Sequence, residues 1–216
     1  AIGVRPTPPS PTALARERKF HGRESPTRAS LSRLFVTGGS GNVTVYPPSA
    51  DYDPATLYLP GGEYPCGPTP RAIEVADLDG DGLQDVVVAN GPARTVTLLR
   101  GDDHGGYASA GAMDCGGAES VAALRLLDLD GNGRPELLAF TINQCIVFPN
   151  SRSADPLSTD QFGPLVQFDL PARVGSVGFD AFPDGRQAGE FVVIGHAGPS
   201  QGSLPGGQSF SVLGLI

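Results

Sequence analysis

Four stretches of this chain repeat one another at nearly constant spacing, and a repeat of this length limits the folds open to it. They are "LFVTGGSGNVTVYPP" from Leu34, "DVVVANGPARTVTLLRG" from Asp85, "ELLAFTINQCIVFPN" from Glu136 and "EFVVIGHAGPSQGSLPGGQSFSVLGL" from Glu190. Their starts lie 51, 51 and 54 residues apart. Each reads as an apolar strand, a turn rich in Gly or Asn, and a second strand with alternating apolar positions. The segments ahead of them also align. "RAIEVADLDGDGLQD" precedes the second, "AALRLLDLDGNGRPE" the third and "GSVGFDAFPDGRQAGE" the fourth. A looser segment follows, reading "ATLYLPGGEY", "GYASAGAM" or "PLVQFDLP", and it supplies a fourth strand.

Four short strands per roughly fifty residues is the signature of a β-propeller blade. The predicted fold class is therefore all-β, with about four blade units of four antiparallel strands. Blade one spans residues 34–64 and lacks its first strand. Blade two spans 71–113, blade three 121–171, and blade four runs from 174 to 216, ending after its third strand. Propellers close with four to eight blades, but here both end blades are incomplete. The chain also begins without Met and ends in the apolar run "FSVLGLI". An open arc, about half of a larger propeller, is the expectation, with unpaired edges at blades one and four that invite pairing with another chain.

Charge divides the chain into two regions. Residues 1–33 carry seven Lys/Arg and two Asp/Glu, whereas the remainder carries eight and twenty-one. The basic segment is rich in Pro, Ser and Arg and buries too little apolar surface to offset its ordering entropy. It is expected to be disordered, a solvated tail or linker rather than a nucleic-acid arm, and residues 34–216 form the repeat domain. No apolar run approaches the roughly 20 residues of a membrane span. Cys66, Cys115 and Cys145 match no C-x-x-C metal spacing, and both one disulfide and none stay open.

Chemistry concentrates in the loops between the first and second strands of blades two and three. "DLDGDGLQD" places carboxylates at loop positions one, three, five and nine: Asp77, Asp79, Asp81 and Asp85. Leu83, at position seven, offers its backbone carbonyl. Hard cations such as Ca²⁺ take six to eight oxygen ligands of these kinds. In "DLDGNGRPE" the same roles fall to Asp128, Asp130, Asn132, the Arg134 carbonyl and Glu136. An EF-hand would need an acid at position twelve and flanking helices. Val88 and Ala139 stand there instead, within strand-like runs.

The pattern of strand, D-x-D-x-[DN]-G-x-x-[DE] and apolar strand resembles the FG-GAP or VCBS-type repeat, the calcium-loop blade of integrin α-subunit propellers and of many secreted bacterial proteins. The resemblance covers about residues 34–216 and is strongest at 71–100 and 121–149. It implies two calcium sites at the residues just named, each ion pinning a loop between two strands of a blade. Blade four keeps Asp180, Asp184 and Glu190, but Phe182 replaces the acid at position three and two residues are added before Glu190. That third site is expected to be empty or weak. The resemblance further implies a non-catalytic module outside the cell or at its surface that binds a protein or glycan. The alternative is the propeller of a carbohydrate-active enzyme such as a polysaccharide lyase. Against it, no convergent set of His, Tyr, Lys or carboxylates stands out, and Lys19 is the only lysine. His104 beside Asp102 and Asp103 reads as a solvated loop histidine, and the tripeptide Arg100-Gly101-Asp102 as a chance match to an adhesion motif.

Overall fold

Valine-, leucine- and threonine-rich runs separated by Gly, Pro and Asn favour short strands joined by turns. In a computed structural model the described residues form fifteen strands in four antiparallel sheets. The structure describes residues 11–16, 33–47, 59, 61–117, 119–150, 156–170, 174–178, 190–195 and 209–214. Sheet one comprises β1 (Pro11–Arg16), β2 (Leu34–Gly38), β3 (Asn42–Tyr46) and β4 (Glu63–Pro65). Sheet two comprises β5 (Pro70–Ala76), β6 (Asp85–Asn90), β7 (Thr95–Gly101) and β8 (Tyr107–Asp114). Sheet three holds β9 (Ala123–Leu127), β10 (Glu136–Phe140), β11 (Gln144–Phe148) and β12 (Val166–Asp169). Sheet four holds β13 (Val174–Gly178), β14 (Glu190–Gly195) and β15 (Ser209–Gly214). Neighbouring strands follow chain order in every sheet, so each is a simple meander. Among the described residues there is no α-helix, and hence none long and apolar enough to cross a membrane.

The starts of β2, β6, β10 and β14 coincide with the four repeat starts. One expectation is corrected. Pro11–Arg16, inside the segment read as disordered, pairs with β2 and supplies the first strand that blade one was expected to lack. Ladder hydrogen bonds use backbone groups and do not require an apolar sequence. Ala13 adds a partly buried methyl to the core, and its carbonyl accepts the Thr37 hydroxyl at 3.5 Å. The rest of residues 1–32 lies outside the described residues. So do Asp180 and Asp184 of the degenerate loop; Glu190 opens β14.

Sheet two is packed on both faces, and every residue of β6 is buried. Because side chains alternate across a strand, Val86 and Val88 face sheet one and meet Phe35, Val43 and Val45. Val87 and Ala89 face sheet three and share a cluster with Leu124, Leu137, Ala139 and Ile146. Fully burying a side chain of this size contributes about 1.5–3 kcal/mol, so the two clusters dominate sheet-to-sheet adhesion. Tyr107 closes the first cluster, its ring edge-on to Phe35 at 5.7 Å and to Tyr64 at 5.2 Å. Between β5 and β9 the Glu74 carboxylate accepts from Arg125 at 3.0 Å. The opposite face of sheet one, with Leu34, Val36 and Tyr46, is only partly covered.

The three cysteines are free, and each sits in a different cluster: Cys66 between sheets one and two, Cys115 between two and three, Cys145 on the far face of sheet three. Burial pushes the Cys66 thiol up to about 11 and those of Cys115 and Cys145 to about 12. The reactive thiolate is therefore scarce near neutrality. An aromatic disulfide reagent at about pH 8 should label almost no thiol in the folded protein and all three in denaturant; rapid labelling of the native chain would contradict this packing.

Candidate metal centre

The loop between β5 and β6 folds by capturing its own backbone. Short carboxylates readily hydrogen-bond amides a few residues on. Asp77 accepts from the Gly80 and Gly82 N–H groups at 2.7 and 2.9 Å. Asp79 accepts from the Asp81 N–H at 3.2 Å, and Asp81 from the Leu83 N–H at 2.7 Å. Gly80 and Gly82 both sit at φ 85°, a left-handed conformation that costs glycine little. Leu78 is fully buried and plugs the loop into the cluster between sheets two and three. Asp85, first residue of β6, is also fully buried. Its two carboxylate oxygens accept from the Leu78 N–H at 2.9 Å and the Gly101 N–H at 3.0 Å.

The loop between β9 and β10 repeats this wiring. Asp128 accepts from Asn132 and Gly133 N–H at 3.1 and 2.9 Å, and Asp130 from the Asn132 N–H at 3.0 Å. Asn132 accepts from the Arg134 N–H at 2.8 Å. Buried Glu136 accepts from the Leu129 N–H at 2.6 Å, as Asp85 does from Leu78.

The two loops converge on the same positions. Oxygen atoms of Asp77, Asp79 and Asp85 lie within 4.8 Å of one another, and so do those of Asp128, Asp130 and Glu136. These are positions one, three and nine. Asp81, at position five, is not part of its trio; its carboxylate stands 3.9 Å from the Arg100 guanidinium. Asn132, the equivalent in the second loop, gives its side-chain amide to Asp130 at 2.9 Å. Leu83 and Arg134 take their loop places through the N–H bonds just given. Both donor sets are oxygen without sulfur or imidazole, which suits a hard divalent ion.

Electrostatics point the same way. Burial raises the Asp85 carboxyl to about 7, the Leu78 and Gly101 N–H groups pull it back, and Asp79 and Asp81 add repulsion. Glu136 is raised too, first by burial and then by Asp130. Buried, crowded carboxylates of this kind ionise readily once a cation joins them.

The third acidic cluster, Asp102, Asp103 and His104, is exposed. The Asp102 carboxylate accepts from the His104 and Gly106 N–H groups at 2.9 and 2.7 Å, which closes a turn and holds its carboxyl low. Gly101 is buried and Arg100 faces Asp81, whereas Asp102 is exposed in the turn after β7.

Sequence reasoning missed the supports of the first loop. They come from the connection between β11 and β12: the Leu157 N–H donates to Asp79 at 2.9 Å, and the side-chain amides of Asn150 and Gln161 each donate to the Leu78 carbonyl at 3.1 Å. No local pattern marks these residues, because their partners lie more than seventy positions away in the chain.

Comparison with known proteins agrees with this geometry. Residues 77–139, which contain both loops, match the model of the FG-GAP-like repeat family. No curated protein matches the sequence. A crystal structure of a protein from Lactobacillus plantarum is similar in fold, with a TM-score of 0.51 at 21% identity over 76% of this chain. The chain spans 45% of that protein's length.

Titration of Asp85 gives a pH dependence with a definite sign. An unfolded Asp titrates near 3.9, and the folded carboxyl near 7. Between these values the folded state holds the proton more tightly, so raising the pH lowers stability, by at most about 1.4 kcal/mol per pH unit. In chelator, unfolding curves from about pH 4 to 7 should show this loss in the wild type and not in Asp85→Asn. Equal slopes in the two proteins would remove Asp85 as its source.

Proposed function

We propose that this chain is a non-catalytic, calcium-stapled stretch of a β-propeller that presents a surface to a protein or glycan outside the cell or at its surface. The observation that carries the reading is the recurrence, in two successive sheets, of three converging carboxylates at loop positions one, three and nine, the last of them buried. Asp77, Asp79 and Asp85 would hold one ion, joined by Asp81 and the Leu83 carbonyl as the loop adjusts. Asp128, Asp130 and Glu136 would hold the other, with Asn132 and the Arg134 carbonyl. The ion neutralises the crowded charge and locks the first strand of a blade to the second. The four sheets are then blades, and the set is an open arc. The partly covered face of sheet one, among the described residues, supports an arc. An arc leaves edges free to pair with another copy.

Calorimetric titration should detect two calcium sites in the wild type and none in the Asp79→Ala, Asp130→Ala double variant. A ligand that binds only the folded state stabilises it by about 2.7 kcal/mol at a hundredfold excess over its Kd. Chelator should accordingly lower the Tm by several degrees. Calcium binding unchanged in the double variant would end the assignment. Lyase activity on acidic polysaccharides would overturn the non-catalytic reading.

A further inference from the structure

Asn150, just past the end of β11, is fully buried and has partners for its backbone and its side chain alike. Its backbone helps hold the Glu136 carboxyl down, and its carbonyl accepts the Asn132 side-chain amide at 3.5 Å. Its own amide donates to the Leu78 and Pro135 carbonyls, both at 3.1 Å. Its Oδ1 accepts from Gln161 at 3.1 Å. One residue thus touches Glu136 and Asn132 of the second loop and the peptide between Asp77 and Asp79 of the first. Gln161, also fully buried, reinforces the contact on Leu78 although its own Oε1 finds no partner. A leucine would fill that volume without an unmatched carbonyl, so the donor end is the part of Gln161 with a task.

The equivalent position in sheet two makes the contrast. Extending the ladders, Gly101 stands opposite Gln84 and Asn150 opposite Pro135, the eighth residue of each loop. Gly101 keeps the backbone bond to Asp85 but has no side chain to send toward sheet one, where no acidic loop exists. A reaching side chain is found where there is a loop to reach.

We infer that Asn150 and Gln161 couple the two acidic loops energetically, so that an ion in one raises the affinity of the other. The inference rests on the calcium reading above. An ion in the first loop fixes Asp79 and the Leu78 peptide, and these orient Leu157, Gln161 and Asn150. Asn150, once fixed, holds Glu136 and Asn132 in place. Part of the ordering cost is then met before the second ion arrives, which gives positive cooperativity. Linkage makes the effect reciprocal.

A thermodynamic cycle tests this by calorimetric calcium titration of the whole chain. Asp130→Ala disables the second loop and should weaken the first loop's calcium affinity about fivefold or more, the lower end of ordinary coupling. In a Gln161→Leu background the same change should leave that affinity unaltered. Asn150→Gly, which copies Gly101 and keeps the backbone bonds, should abolish coupling too and serves if Gln161→Leu does not fold. Far-ultraviolet circular dichroism in chelator checks that each variant keeps its strands. An Asp130→Ala effect of equal size in all backgrounds, or no effect in any, overturns the coupling and leaves the calcium sites standing. A wild type that binds no calcium removes both.

Discussion

A carboxylate buried at the first residue of a blade's second strand ties three pieces of backbone together. Asp85 accepts from the loop at Leu78 and from the exit of the third strand at Gly101. Glu136 accepts from the loop at Leu129, and the Asn150 backbone helps hold its carboxyl down. Both acids sit where strand, loop and hairpin meet, and both are fully or nearly fully buried. Removing Asp85 would leave two amides without acceptors in a buried place, a larger penalty than the net gain from making such bonds. On the calcium reading proposed above, the charge these acids bring inside also accounts for the further oxygen donors of the loops. A buried anion needs a counter-charge, and crowding more carboxylates around it makes sense when a cation supplies one.

Much of this was legible in the sequence because it is written locally. The unbroken apolar runs of "DVVVAN" and "ELLAF" belong to strands covered on both faces, and the Asp/Gly spacing fixes where these two strands begin. The strand starts at 85 and 136 follow from those two signals, and those at 34 and 190 from the repeat spacing. The acids of positions one, three and nine were legible for the same reason. Asp81 was not, since composition counts a fourth carboxylate without saying that it turns toward Arg100.

What escaped depends on partners distant in sequence. "PTALAR" has no alternation to mark it as β1, and its partner β2 comes only after the connection at 17–33. Its strand character is conferred by the open edge of β2, through hydrogen bonds indifferent to side-chain type. Asn150 and Gln161 are equally silent in isolation. They become meaningful once sheet three is laid against sheet two and the Leu78 carbonyl arrives between them. Local rules thus recover the single sheet, whereas the seam between sheets has to be seen.

That seam bears on how such a chain can be lengthened or cut. Duplication of a fifty-residue stretch is the simplest history for a repeat, and it suggests modules that can be excised at will. Yet the Asp77–Asp85 loop keeps part of its scaffolding in the next module, at Asn150, Leu157 and Gln161. A fragment ending at Asp114 would possess every residue of that loop and none of those braces. The smallest heritable piece able to carry it intact is two sheets long, so growth or loss by single blades has to proceed from the end where no loop leans on a successor.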